Sequence, residues 1–200
     1  MGLHGLFDVG PKTGVELFHT DTQDLPFDLL AFWRCTASDA VSNTWRGLIA
    51  EYLVAQAVVA ASQLRRERDP YDVLTPTGLK VEVKSSAYVQ SWKQKEYGRI
   101  EFGIKPRQAW DLVTGQYEPG ARRCADVYAF ALHKHCDEAT LDPLNVDKWE
   151  FDVALTARLD QECPKQAKIS LERLKALGPR GVSFAELAAA IEQAGQEHYS

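Results

Sequence analysis

The residues best placed to do chemistry lie in one short segment, residues 69–86. The sequence Pro76–Gly78 predicts a turn between two short strands. Side chains alternate along the second strand, so Glu82 and Lys84 share one face, about 6.6 Å apart along the strand. Hairpin pairing would bring Asp72, in the first strand, beside Glu82. Two carboxylates next to one ammonium group could bind a divalent cation and activate a water for hydrolysis.

A strand that alternates in this way is commonly half-buried, with its charged face in water. A further carboxylate strengthens the chemical interpretation. The segment Val41–Leu64 predicts a helix that is apolar on all sides and therefore buried. Glu51 is its only charged residue after Arg46, and a buried carboxylate is costly unless it is paired or binds a metal. A structural salt bridge or hydrogen bond of Glu51, for example to Arg46, is the alternative.

The order of these elements resembles the PD-(D/E)xK nuclease superfamily, which includes restriction endonucleases, junction resolvases and repair nucleases. The resemblance covers residues from about 41 to about 133 and rests on these residues: Glu51, Asp72, Glu82, Lys84, Ser85 and Ser86. The chain departs from the pattern in that Pro70 and the aspartate at position 72 are not adjacent, and Asp69 is a competing candidate. A clean glutamine–tyrosine motif of the helicase-linked nucleases is also missing, which leaves the subfamily open.

The resemblance implies a role for each residue. Asp72 and Glu82 would bind Mg²⁺, or Mn²⁺ as a substitute, together with the backbone carbonyl of Val83. Glu51 would bind the metal through water or hold a second metal. Lys84 would orient the attacking water or stabilise developing charge. The function implied is a metal-dependent DNA endonuclease of the restriction, defence or repair type. A catalytically silent protein of the same fold, which binds DNA or a protein partner, is the alternative.

Six residues after or near the lysine are candidates for contact with nucleic acid: Ser85, Ser86, Gln90, Lys93, Lys105 and Arg107. The types of several of these residues are explained equally well by a position at a strand end or in an exposed loop. The net charge of −5 does not indicate a nucleic-acid binder, but the charge is uneven. Residues 65–134 hold thirteen basic and nine acidic side chains, whereas both flanking parts are acidic. A local basic face matters more for phosphate contact than the charge of the whole chain.

The elements that must position these residues predict one α/β (α+β) domain over residues 1–200. The alternating and apolar segments predict a central mixed five-stranded sheet flanked by helices, similar to that of restriction endonucleases. Residues 1–36 are expected to form an N-terminal arm and residues 165–200 a helical C-terminal appendage. The segment 26–37 predicts a helix, and residues 110–120 predict a helix end and a loop. Glu186 follows Ser183 at the capping-box spacing.

The remaining features indicate a cytoplasmic protein. The four cysteines are far apart and form no Cys-x-x-Cys pair, which favours reduced thiols. The sequence shows no signal peptide and no stretch that could span a membrane. A zinc site at His133, His135 and Cys136 is disfavoured, because the sequence offers no second ligand pair at a recognisable spacing. No nucleotide cofactor is expected. Duplex DNA is the favoured substrate, and a homodimer would match its two-fold symmetry.

Overall fold

A computed structural model describes residues 10–60, 69–111 and 114–198. Within these residues the helices are α1 (Leu29–Ala37), α2 (Asn43–Ala57), α3 (Thr156–Glu162), α4 (Leu171–Ala176) and α5 (Phe184–His198). The strands are β1 (Leu17–His19), β2 (Asp24–Asp28), β3 (Val73–Leu74), β4 (Lys80–Ala87), β5 (Glu101–Gly103), β6 (Trp110–Asp111), β7 (Gln116–Tyr117), β8 (Val127–His133), β9 (Trp149–Leu155) and β10 (Lys168–Ser170). The predicted mixture of helices and strands is therefore confirmed. No helix of the described residues is long and apolar enough to cross a membrane.

The central sheet has four strands in the described residues, in the order β3-β4-β8-β9. Strands β4 and β8 are parallel, and the two outer pairs are antiparallel, so the sheet is mixed as predicted. The alternating residues 99–104 would have supplied a fifth strand, but β5, which they contain, pairs with β10 in a separate two-stranded sheet. Phe102 of β5 packs edge-on against Phe130 of β8, with ring centroids 5.1 Å apart. The apolar side of β5 thus lies over one face of the sheet and not along its edge.

Each face of the central sheet buries its own apolar cluster. On one face, α2 and α5 cover Val81 and Val83 of β4 together with small residues of β8. On the other face, β5, β10 and the helices α3 and α4 cover Tyr128 and Phe130. All seven residues of β8 are buried, as expected for a central strand with both faces covered.

The predicted hairpin around residues 76–78 is present. The amide of Gly78 donates a hydrogen bond to the carbonyl of Thr75 at 2.9 Å, which closes the turn. Gly78 has a φ of +86°, a conformation that only glycine adopts at little cost. The turn places β3 beside β4 with Val73 opposite Val81.

Helix α2 is shorter and more exposed than the sequence predicts. It begins after Ser42, whose hydroxyl accepts a hydrogen bond from the amide of Trp45, and it ends at Ala57. Positions 61–64 of the predicted helix lie outside the described residues. Burial on all sides is wrong, because α2 covers the sheet with one face and leaves the Tyr52 side chain 57% exposed.

Two further segments differ from expectation, and one agrees. Strand β2 extends to Asp28, whose carboxylate caps α1, so the predicted helix at residues 26–37 begins three residues late. The expected helix end and loop at residues 110–120 contain the paired strands β6 and β7. The capping box is confirmed, because the amide and hydroxyl of Ser183 both donate to the Glu186 carboxylate.

A buried ion pair ties β9 to α4. The side chain of Asp152 is fully buried, and its Oδ1 accepts a hydrogen bond from Lys175 Nζ at 2.8 Å. Lys175 also donates to Glu150 at 2.8 Å. Burial raises the pKa of Asp152, while Lys175 opposes that shift. Lys175 therefore offsets the cost of burying the ionised carboxylate of Asp152.

We expect Lys175→Met to lower the free energy of unfolding at pH 7 by about 2–3 kcal/mol, because a buried carboxylate loses its counter-charge. The folded-state pKa of Asp152 is raised, so its ionisation costs stability above the ordinary pKa and costs nothing once the group is protonated. The loss should therefore shrink as the pH falls towards 5. Urea unfolding at both pH values measures it.

Lys168→Met is the matched control, since Lys168 is 67% exposed and pairs with Glu101 at the surface. It should change stability by less than about 0.5 kcal/mol. An equal loss for Lys175→Met at pH 5 and pH 7 would contradict the role given to Asp152.

Candidate active site

A cavity of about 490 Å³ opens beside β3 and β4. All four residues predicted to be catalytic line it: Glu51, Asp72, Glu82 and Lys84. The structure thus brings together residues that lie on α2, before β3 and along β4. Further lining residues come from the β6–β7 region and the start of β8: Lys105, Arg107, Gln108, Ala109, Trp110, Tyr117, Arg122, Arg123, Cys124 and Tyr128.

Asp72 lies next to Glu82, as hairpin pairing predicted. Val73 pairs with Val81, so the preceding residue, Asp72, falls opposite Glu82. The Asp72 carboxylate accepts a hydrogen bond from the amide of Val83 at 2.7 Å, which fixes it against β4. Asp69 also lines the cavity, so the competing candidate lies in the same site.

Glu82 is the most constrained of the four side chains. It is 12% exposed, and its Oε1 accepts hydrogen bonds from Lys84 Nζ and from Arg107 Nη2, the latter at 3.3 Å. Burial raises the pKa of Glu82, and the negative charge of Asp72 raises it further. The charges of Lys84 and Arg107 act in the opposite direction and do not cancel the shift.

These features fit a divalent cation. Mg²⁺ is commonly held by one or two carboxylates, with waters and phosphate completing its shell. Asp72 and Glu82 offer two oxygen ligands whose mutual repulsion a cation would relieve. Among the described residues no group of three or more His, Cys, Asp or Glu side chains is arranged to hold a metal ion. The roles of Glu51, which lines the cavity half-buried, and of the Val83 carbonyl stay predictions.

One wall of the cavity is basic. The backbones of Arg107 and Arg122 exchange two hydrogen bonds of 3.0 and 2.9 Å, so the segments on either side of the β6–β7 hairpin run antiparallel. Side chains of Lys105, Arg107 and Arg122 line the cavity from this segment. The Arg123 side chain is fully buried and donates to the carbonyls of Ile104 and Cys163, which anchors the wall to the core.

Of the residues predicted to contact nucleic acid, Lys105 and Arg107 line the cavity, whereas Ser85, Ser86, Gln90 and Lys93 do not. Gln90 is engaged within the protein: its Oε1 accepts a hydrogen bond from Arg46 Nη2 at 3.0 Å, and its Nε2 donates to Ala87 O at 2.8 Å. Contact between these four residues and nucleic acid stays a prediction.

The sequence analysis missed the aromatic part of the site. Trp110 and Tyr117 contact each other across the β6–β7 hairpin, with ring centroids 4.9 Å apart. Tyr128 pairs in register with Glu82 in the parallel β4–β8 pair. Burial raises the pKa of Tyr128, and the charge of Glu82 adds to the shift. Only the strand pairing, which the sequence does not contain, could have identified Tyr128.

We expect Asp72→Asn to lower the pKa of Glu82, because it removes the negative charge that disfavours ionisation of Glu82. Carbon-detected NMR titration of the glutamate carboxyls, without divalent cations, measures it. Because the folded-state pKa of Glu82 is raised, its ionisation costs stability above the ordinary carboxyl pKa, and removal of the Asp72 charge should reduce that cost. The variant should therefore be more stable than the wild type at neutral pH, and this gain should disappear as the pH falls and Glu82 becomes protonated.

Glu118→Gln is the control for this titration, because Glu118 is not among the groups that shift Glu82. It should leave the pKa of Glu82 unchanged. A Glu82 pKa that is the same in Asp72→Asn and in the wild type would show that the two carboxylates do not interact.

Comparison with known proteins gives one family. The model described as bacteriophage T4 endonuclease IV matches residues 27–165. The matched range contains every residue that lines the cavity. Among curated proteins, no sequence matches the chain. Because the match spans well over half of the chain, and the cavity lies within it, the protein belongs to the bacteriophage T4 endonuclease IV family of endonucleases.

Proposed function

We propose that the chain is a metal-dependent endodeoxyribonuclease of the PD-(D/E)xK type, which hydrolyses phosphodiester bonds of DNA in restriction, defence or repair. One observation carries this proposal. Glu51 of α2, Asp72 before β3, and the pair Glu82 and Lys84 of β4 line a single cavity. The endonuclease family supports a DNA substrate, and duplex DNA is the form we favour.

Asp72 and Glu82 would hold Mg²⁺, with Glu51 and the carbonyl of Val83 as further ligands directly or through water. When bound, the ion would acidify a water and polarise the phosphate. Lys84 is 19% exposed and lies on the same face of β4 as Glu82. From there its ammonium group would orient the attacking water or stabilise charge that develops on the phosphate.

The basic wall would position the DNA backbone. Arg107 is 70% exposed, so its guanidinium can exchange its contact with Glu82 for a phosphate oxygen at little cost in desolvation. Lys105 and Arg122 line the same wall and would contact neighbouring phosphates. This local basic surface lies in a chain of net charge −5 and would direct an anionic substrate to the cavity.

A protein that binds DNA without cutting it is the second candidate. The observation in its favour is that Lys84 and Arg107 both pair with Glu82, so the site balances part of its charge without a metal. Such a protein would bind DNA equally well with or without divalent cations.

We expect the wild type to cleave DNA in the presence of Mg²⁺ or Mn²⁺. Plasmid, linear duplex, single-stranded and four-way-junction substrates, tested in parallel, would identify the preferred form. Lys84→Met should lower the cleavage rate by about 10²-fold or more, because it removes a charge placed at the reacting phosphate. Glu82→Gln should abolish Mg²⁺ binding in titration calorimetry.

Lys148→Met is the matched control, since Lys148 lies before β9 and does not line the cavity. It should cleave at the wild-type rate. A folded wild type that binds DNA but cuts none of the substrates would favour the second candidate. Mg²⁺ affinity that is unchanged in Glu82→Gln would refute the proposed ligand.

We also propose that the chain acts as a homodimer through the N-terminal arm. The arm exposes several large apolar side chains, and no residue of α1 is buried. Phe18, Phe27 and Phe32 form an exposed aromatic cluster, in which the ring of Phe18 lies 5.2 Å from Phe27 and 6.3 Å from Phe32. Exposed apolar patches commonly mark interfaces, and a second copy would supply the second active site for cleavage of both strands.

We expect sedimentation velocity to show a dimer for the wild type and a monomer for the double variant Phe27→Ser and Phe32→Ser. Both side chains are about half exposed, 48% and 49%, so the substitutions should preserve the fold, which circular dichroism checks. A wild type that is monomeric both free and on DNA would contradict the dimer.

A further inference from the structure

Tyr128 is a buried polar residue to which the proposed chemistry assigns no role. It is 4% exposed and lies in the central strand β8. In the parallel β4–β8 pair its register partner is Glu82, so the two side chains project from the same face of neighbouring strands. Neighbouring strands are about 4.8 Å apart, so the two side chains leave the sheet side by side.

The ring of Tyr128 is fixed by its surroundings. It stacks on Phe130 with a centroid distance of 5.7 Å and an interplanar angle of 25°. It belongs to the apolar cluster formed with β5, β10, α3 and α4. Because the ring is enclosed by core residues, its hydroxyl has little freedom to move away from the cavity that Tyr128 lines.

The hydroxyl has no hydrogen-bond partner within the part of the chain that the structure describes. The hydroxyl is not among the fully enclosed polar atoms that lack a partner, so it is open to the cavity that Tyr128 lines. Glu82, its nearest charged neighbour along the register, has an oxygen occupied by Lys84 and Arg107. The free hydroxyl therefore faces a cavity in which a ligand can accept its hydrogen bond.

The other residues of the cavity indicate which ligand this is. A tyrosine hydroxyl is a neutral donor, and the oxygens of a phosphodiester are acceptors. Lys105, Arg107 and Arg122 make the same cavity attractive to an anion. We propose that the Tyr128 hydroxyl donates a hydrogen bond to a non-bridging oxygen of the phosphodiester bound in this cavity. This role rests on the proposed function and adds a substrate-contacting residue to it.

A neutral, fixed donor differs from the basic wall in what it contributes. Lysine and arginine side chains attract the substrate through charge, and their contribution falls as salt rises. A hydroxyl held in place by the core has no net charge and needs no reorganisation when charge develops on the phosphate. Tyr128 should therefore affect the chemical step more than the salt dependence of binding.

The experiment compares Tyr128→Phe with the wild type. The substitution removes only the hydroxyl, so the apolar cluster stays filled and the protein should fold. With Mg²⁺ and the substrate that the wild type cuts, we expect kcat to fall about 10²-fold while KM changes by less than about threefold. The slope of binding against salt and the Mg²⁺ affinity should remain those of the wild type.

Tyr88→Phe is the matched control, because Tyr88 packs against the same cluster but does not line the cavity. It should match the wild type in every measurement. A second readout does not depend on turnover. In protein labelled with ¹³C at the tyrosine Cζ, adding the dinucleotide thymidylyl-thymidine should shift the Tyr128 signal and leave that of Tyr88 in place.

The outcomes separate this proposal from the proposed function. Cleavage at the wild-type rate by Tyr128→Phe, together with a wild-type Tyr128 Cζ signal that the dinucleotide does not shift, would overturn the role of Tyr128 and leave the nuclease intact. A wild type that cuts no substrate, but whose Tyr128 signal shifts with the dinucleotide, would refute the nuclease and support the phosphate contact. Circular dichroism of Tyr128→Phe, measured first, ensures that a loss of cleavage does not come from unfolding.

Discussion

Two carboxylates held side by side in a largely enclosed site are the constraint on which the rest of this structure depends. Asp72 is fixed against β4 by the amide of Val83 at 2.7 Å, and this contact places it opposite Glu82. Water is largely excluded from Glu82, and this burial raises its pKa, to which the weakly screened repulsion from Asp72 adds. The strands and helices around β4 must therefore hold Asp72 and Glu82 in place against their repulsion.

This support comes from both faces of the central sheet. Strand β4 is paired on both sides, with β3 and with the fully buried β8. Helix α5 supports the start of β4 at close range, because a Cβ atom on Gly195 would lie 3.0 Å from the side chain of Leu79. A larger residue at position 195 would require the Leu79 side chain to shift. The C-terminal helix therefore contributes to the rigidity of the site although it lies outside the range of the family match.

The sequence predicts the contacts of this site that join neighbours along the chain, but not the contacts between distant segments. The alternation around Glu82 and the turn before it predict the hairpin and the position of Asp72, because both depend on neighbours along the chain. The predicted five-stranded sheet is not confirmed, for a different reason: β5 does form a strand, but alternation does not say which strand becomes its partner. Tyr128 was missed likewise, since its place beside Glu82 follows from the parallel pairing of β4 with β8. The predicted burial of α2 on all sides failed because apolar composition does not show how many neighbours a helix has.

The displacement of β5 from the central sheet has a consequence for the site. Because β5 crosses over one face of the sheet, the chain that follows it enters the cavity from that side and brings Lys105 and Arg107 towards Glu82. Beyond the hairpin, the buried Arg123 side chain anchors the chain to the core through hydrogen bonds to the carbonyls of Ile104 and Cys163. An additional strand beside β3 would have left this basic segment at the edge of the sheet. The same crossing covers Tyr128, so it both supplies the basic wall and fixes the tyrosine that lines the cavity.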